Sequence, residues 1–287
     1  KLAAVIYASQ QEKEPVLELS SSMDIGEHPG CNRGETYIFT NADKVRMFKN
    51  DRFIKEYSAA DSPYKYLKHG PILIDDFIGD ALKEEHMKPG QEAGVKKALN
   101  AFTRFGFARL PKSIYLTGAW MILRYHMNME EAVRLYNKYI GDWGGTSTTY
   151  HFEAVMVDPA TGQERVVKTI IKEPMTERKL SVVADHENLV EKESYDVAAV
   201  RIQAQDERGN ILPFYNDPLT FETEGPIELI GPKIVSLQGG MGGTYVKTKK
   251  TAAGEPQKAA LIIHDGENET KIGFTVQRDE IAKLENN

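Results

Sequence analysis

Between Asp80 and Ile140 the apolar residues of this chain recur every three or four positions, whereas on either side of that block they alternate. A helical period does not settle into a sheet, and an alternating one does not settle into a helix. The chain is therefore held to a β framework carrying a block of helices. Within the block, Val95, Ala98, Leu99, Phe102 and Phe105 share one helical face, with Pro89-Gly90 just ahead and Gly106 near the end. Pro111 suits the first turn of a second helix, where its missing N–H costs nothing. That helix runs through Tyr125 and is apolar almost all round (Ile114, Leu116, Ala119, Trp120, Met121, Ile122, Leu123), which predicts a buried helix with Trp120 in the core. Asn128 is placed to cap a third, with Glu131 as the reciprocal half of a capping box. Val133, Tyr136 and Ile140 form its predicted inner face, and Gly141 its end.

The flanks read as strands. Val16, Leu17 and Leu19 make a short run, and Thr36-Tyr37-Ile38-Phe39-Thr40 is rich in β-branched and aromatic residues. Val45 and Met47 point one way, Arg46 and Phe48 the other, and Asn50-Asp51 turns the chain into Phe53-Ile54. After the helices, Thr149 to Val157 is a strand, 158–162 a turn and Arg165 to Ile171 the return. These segments predict one immunoglobulin-like β-sandwich over 15–172, interrupted by roughly three helices at about 80–141. The polar segment 172–178 is the predicted linker. Leu180, Val182 and Ala184 then alternate, Asp206 to Asn210 reads as a turn, and about seven short strands fill 179–278, which predicts a second immunoglobulin-like sandwich. A tail, 279–287, follows. Ahead of the first sandwich, within 1–14, Leu2, Val5 and Ile6 form one helical face that needs something to pack on. That pattern suggests a chain cut from a larger protein. The expected class is mainly β with an α insertion.

A formal net charge of −6 argues against nucleic-acid binding, which needs a basic surface. The one cysteine, Cys31, cannot form an intrachain disulfide, so the fold must be stable without a covalent staple. That fits a reducing compartment and slightly favours the cytoplasm over export. The first apolar run is too short to span a membrane.

Signals for chemistry are sparse. Glycoside cleavage needs two carboxylates across the scissile bond. Asn268-Glu269 resembles the Asn-Glu pair of many retaining glycosidases, but its surroundings, 265–270, read as a hairpin loop. The glycines at 239, 240, 242 and 243 lack the Gly-Lys-Ser/Thr of a phosphate cradle and read as turn or strand-edge residues. The seven histidines show no metal-ligand spacing, and no cofactor is implied. Lys247, Lys249 and Lys250 read as a solvated loop. Trp143, between Gly141-Asp142 and Gly144-Gly145, is the candidate carbohydrate-binding residue; the competing reading, favoured by its place at a helix exit, is a plug in the helix–sheet junction.

Longer segments carry a resemblance. Tyr195 to Ile202, Asp206 to Asn210, Leu212-Pro213-Phe214, Asn216-Asp217-Pro218, Glu224-Gly225-Pro226, Leu229 to Pro232 and Gly239 to Val246 together resemble the last domain of glycoside hydrolase family 2 enzymes of the β-galactosidase type. Tyr37 to Asn50 is similar to a hairpin of that family, and Lys1 to Gln10 to the final helix of its catalytic barrel. The resemblance implies that a sugar-binding domain, a further sandwich and a (β/α)8 barrel with its two glutamates precede these segments in the parent. Neither glutamate motif is here, so no catalytic residue is carried over. It implies an accessory region that braces the barrel, or shapes or binds glycan, with the barrel and, through it, a carbohydrate substrate as partners. The helical block departs from the commonest members. The alternative is a stand-alone adhesin-like or carbohydrate-binding β-sandwich protein.

Overall fold

The computed structural model describes residues 2–250, 255–266 and 268–278. Lys1, Glu267 of the predicted hairpin loop and the predicted tail 279–287 lie outside the described residues. The chain divides into two compact units, Lys1–Met175 and Thr176–Asn287.

The first unit opens with a short helix, α1 (Leu2–Ala8). Its strands are β1 (Leu17–Leu19), β2 (Tyr37–Thr40), β3 (Lys44–Lys49), β4 (Arg52–Ser58), β5 (Ile72–Leu73), β6 (Tyr150–Val157) and β7 (Glu164–Lys172). They pair antiparallel in two sheets, ordered β1-β2-β5 and β4-β3-β6-β7. The β3–β4 turn places Asn50 at φ 47° and Asp51 at φ 62°. Both are left-handed, the geometry that matches strand twist in a two-residue hairpin and that Asn and Asp tolerate. Alternation then sends Val45 and Met47 inward. Leu17, Leu19, Ile38 and Ile72 from the first sheet share one core with Val45, Met47, Tyr57, Tyr150 and Phe152 from the second.

Three helices follow β5: α2 (Pro89–Phe105), α3 (Lys112–Tyr125) and α4 (Met129–Tyr139). They contribute Val95, Leu99, Met121, Leu135 and Tyr139 to that same core, so the helical block is built into the sandwich. Asp76 fastens it at one end. Its carboxylate accepts from the N–H groups of Ile78 and Gly79 and from Asn100 Nδ2, and pairs with Lys96 at 2.7 Å. Gly94 lets α3 approach α2: a Cβ there would lie 2.6 Å from the sulfur of Met121.

Two helix expectations are corrected. The apolar α3 is not a buried helix, because only Ile114 and Met121 are buried. Trp120 is 45% exposed, Leu116 73% and Leu123 79%. A helix lying on one layer hides one stripe, and an all-round apolar sequence does not say which stripe. On α4 the predicted inner face holds for Ile140, which is buried, and Tyr136, which packs against the core, but not for Val133, which is exposed; Leu135 and Tyr139 are buried instead. The cap is as expected on one side: Asn128 Oδ1 accepts the N–H of Glu131 at 2.8 Å.

A carboxylate fastens α4 to the short 3-10 turn Ala81–Glu85. Glu85 accepts from Arg134 at 2.8 Å, Lys138 at 2.6 Å and the Tyr139 hydroxyl at 2.7 Å. These donors, Arg134 foremost, hold its carboxyl at about 2 against an ordinary 4.5. A carboxyl depressed on folding contributes stability above its unfolded value and loses it as pH falls towards its folded one. Glu85→Gln is therefore expected to cost about 1–3 kcal/mol at pH 7. The gap to wild type should close as pH falls from 4.5 towards 2. Urea unfolding of both proteins across that range measures it; a gap independent of pH would refute the assignment.

The second unit holds β8 (Arg178–Ala184), β9 (Asn188–Glu191), β10 (Val197–Asp206), β11 (Pro218–Glu224), β12 (Ile227–Ile230), β13 (Ile234–Ser236), β14 (Met241–Thr248), β15 (Gln257–Asp265) and β16 (Asn268–Arg278). They form sheets ordered β12-β14-β10-β8 and β13-β11-β15-β16-β9, antiparallel except for the parallel pair β16–β9. That is nine strands where the sequence predicts about seven. β9, β12 and β13 have four residues or fewer, too few for alternation to register. Ala198, Val200, Ile202 and Ala204 from one sheet and Phe221, Leu261, Ile263 and Phe274 from the other are buried. Asp206 closes the β10 turn by accepting the N–H groups of Arg208 and Asn210 at 2.9 and 2.8 Å. The fold is mainly β, built of sandwiches with a helical insertion in the first.

Candidate functional site

The end of α4 delivers the candidate sugar-binding residue. Gly141 follows the helix at φ 135°, a conformation L residues rarely adopt. A Cβ there would lie 2.8 Å from both Arg33 Nη2 and Thr148 Oγ1, so side-chain-free backbone is required twice over. Arg33 is only 2% exposed. Its guanidinium donates to the carbonyls of Met23, Asp24 and Gly30 at 3.0–3.1 Å and to that of Ile140 at 3.1 Å. Lys49 Nζ donates to the neighbouring carbonyl of Tyr139. Burial, and then the Arg33 charge, lower the Lys49 ammonium to about 8. Two cations thus meet the last carbonyls of α4, where the helix dipole is negative. The following loop is tied back by the Gly144 N–H, which donates to Pro29 at 2.9 Å.

From this root Trp143 projects into solvent, 84% exposed. The favoured expectation that it plugs the helix–sheet junction is corrected. The buried groups at that junction are Arg33 and Tyr150, with the guanidinium carbon 5.7 Å from the Tyr150 ring centroid. The indole is thus open to solvent rather than packed into the junction. The sequence reading misses Arg33. It lies among glycines and polar residues in 30–35, and nothing there distinguishes a buried guanidinium from a solvated one.

The other candidates do not gather around Trp143. Asn268 and Glu269 begin β16 in the β15–β16 hairpin, both exposed, with Glu269 opposite His264. Gly239 and Gly240 have φ 61° and 73° and turn the chain into β14. Lys247 stands on β14 rather than in a loop and pairs with Glu228 at 3.0 Å; Lys249 and Lys250 follow it, exposed. Among the described residues no group of three or more His, Cys, Asp or Glu is placed to hold a metal. No helix there is long and apolar enough to cross a membrane. A groove of about 520 Å³ between α2 and α3 has one carboxylate in its lining, Asp75, against Lys96, Lys97 and Arg104. It lacks the facing carboxylates of a glycosidase centre.

No family model matches the chain. Among curated proteins it is 31% identical over 112 residues to a β-galactosidase of Rhizobium radiobacter, which is 39% of this chain and 77% of that protein. It is 33% identical over 243 residues to a β-galactosidase of Thermoanaerobacterium thermosulfurigenes, 84% of this chain but 25% of that enzyme. A solved glycosyl hydrolase family 2 member from Bacteroides cellulosilyticus superposes with a TM-score of 0.53 at 10% identity, over 96% of this chain and 30% of that one. The alignment thus covers about a quarter of the longer of these two curated relatives and under a third of the solved structure.

Proposed function

This chain belongs to glycoside hydrolase family 2, as part of the C-terminal region of a β-galactosidase-type enzyme, and on that premise we propose that it is a non-catalytic accessory region that braces the catalytic part of its parent. The exposed apolar face of α3 carries this reading. Tyr115, Leu116, Trp120, Ile122 and Leu123 stand on one 14-residue helix and are all exposed. Contiguous apolar surface of this kind marks a place where protein packs on protein. The chain accounts for about a quarter of the length of its longer relative, so the parent supplies ample surface for that contact.

The parent is read as cleaving terminal β-galactosides by a retaining mechanism whose two carboxylates lie outside this chain. Purified chain is expected to release no nitrophenol from nitrophenyl β-galactoside. Turnover that survives repurification would overturn the non-catalytic assignment. Trp143 adds a second role for the same region: its exposed indole, on a loop rooted by Arg33, suits stacking on a glycan held near the parent's cleft. Trp143→Ala is expected to weaken glycan-array binding about tenfold while leaving the fold unchanged. Undiminished binding would remove Trp143 from the account.

A further inference from the structure

The second unit has a cleft of its own, of about 590 Å³, between the ends of β9, β14 and β16. Among the described residues five cations line it, including Lys247, Lys249 and Lys250, against three carboxylates. The excess of positive charge stands out in a chain whose formal net charge is −6. One of the three carboxylates is Glu191, whose side chain is 9% exposed. Its Oε1 lies 3.8 Å from Arg278 Nε, while its Oε2 is buried with no hydrogen-bond partner. A buried carboxylate oxygen without a donor is costly and calls for one.

An aromatic face completes the lining. Tyr195 is 57% exposed, with Lys247 Nζ 5.0 Å from its ring centroid. The loop that presents it is fixed. The carboxylate of the next residue, Asp196, accepts the N–H of Val190 at 2.9 Å, and its backbone N–H donates to Thr248 Oγ1 at 3.1 Å. The loop that carries the ring is thus tied to β14 and to the backbone beside Glu191 before any ligand arrives.

We infer that this cleft binds an acidic saccharide, a sugar carrying both ring hydroxyls and a carboxylate. The sugar ring stacks on Tyr195, a hydroxyl donates to Glu191 Oε2, and the ligand carboxylate pairs with Lys249 and Lys250. A neutral sugar leaves the lysines unanswered, and a simple anion leaves Glu191 without a donor. The inference rests on the second unit alone and is independent of the family reading and of Trp143.

Calorimetric titration of the full chain with trigalacturonate, galactotriose and inorganic phosphate tests it. Trigalacturonate is expected to bind about tenfold or more tighter than either of the others. Tyr195→Ala and the Lys249→Ala/Lys250→Ala pair are each expected to weaken it about tenfold. Glu191→Gln should weaken it while Trp143→Ala leaves it unchanged. Tyr195, Lys249 and Lys250 are exposed, so unaltered thermal unfolding of those variants separates loss of binding from loss of fold. Equal affinity for the acidic and neutral sugars would overturn the inference. So would phosphate binding as tightly as trigalacturonate, or wild-type affinity in both the Tyr195 and lysine variants.

Discussion

Full-length parent enzyme carrying Leu116→Asp and Leu123→Asp is expected to melt well below wild type and to lose activity with it, while the same pair leaves this chain alone as stable as before. The contrast follows from exposure. Both side chains face solvent in this unit, 73% and 79% exposed, and exposed substitutions usually fall within about 0.5 kcal/mol of neutral. Against a partner surface each leucine contributes about 1.5–3 kcal/mol of burial, and an introduced carboxylate adds a desolvation cost. The pair should therefore weaken docking by a factor on the order of hundreds or more. Thermal melts of the parent and of the chain, each with and without the pair, measure both halves. A parent indifferent to the substitutions would mean that α3 faces solvent there too.

Arg33→Met should be the most damaging single substitution in the first unit. It removes the donor to four carbonyls, those of Met23, Asp24, Gly30 and Ile140, at a side chain that is almost wholly buried. Buried acceptors stripped of their donor cost about 1–3 kcal/mol each, less when they share a site, which places the expected loss at about 3–5 kcal/mol. Lysine should not rescue it, because a single ammonium cannot reproduce the planar fork. Both tryptophans, Trp120 and Trp143, lie in this unit, so indole fluorescence during urea unfolding reports on it selectively. The midpoint should fall sharply for Met and for Lys alike. A midpoint within about 0.5 kcal/mol of wild type would show that solvent satisfies those carbonyls.

The sandwiches were legible because alternation and turn chemistry are local. Val45 and Met47 against Arg46 and Phe48, with Asn50-Asp51 at the bend, specify a hairpin before any tertiary contact is known. The same holds for Asn128 as a cap. What depended on packing was not legible. An all-apolar α3 looks the same whether one stripe or all of it is covered, and only the position of α2 decides. Trp143 at a helix exit reads more readily as a plug than as a platform until Arg33 is seen to occupy the junction. The cleft of the second unit brings Glu191 and Tyr195 together with Lys247 to Lys250, some fifty residues further on. No local pattern announces such a meeting, and the lysines alone read as solvated.

If this region is an accessory part, it should stabilise a catalytic part encoded with it. The most direct measurement is to add the purified chain to the separately purified remainder of the parent, following association by calorimetry together with the melting temperature and galactosidase activity of the remainder. Saturable one-to-one binding is expected, raising the melting temperature and restoring activity, and abolished by Leu116→Asp/Leu123→Asp. A remainder that is fully stable and active alone, and that ignores the added chain, would contradict it.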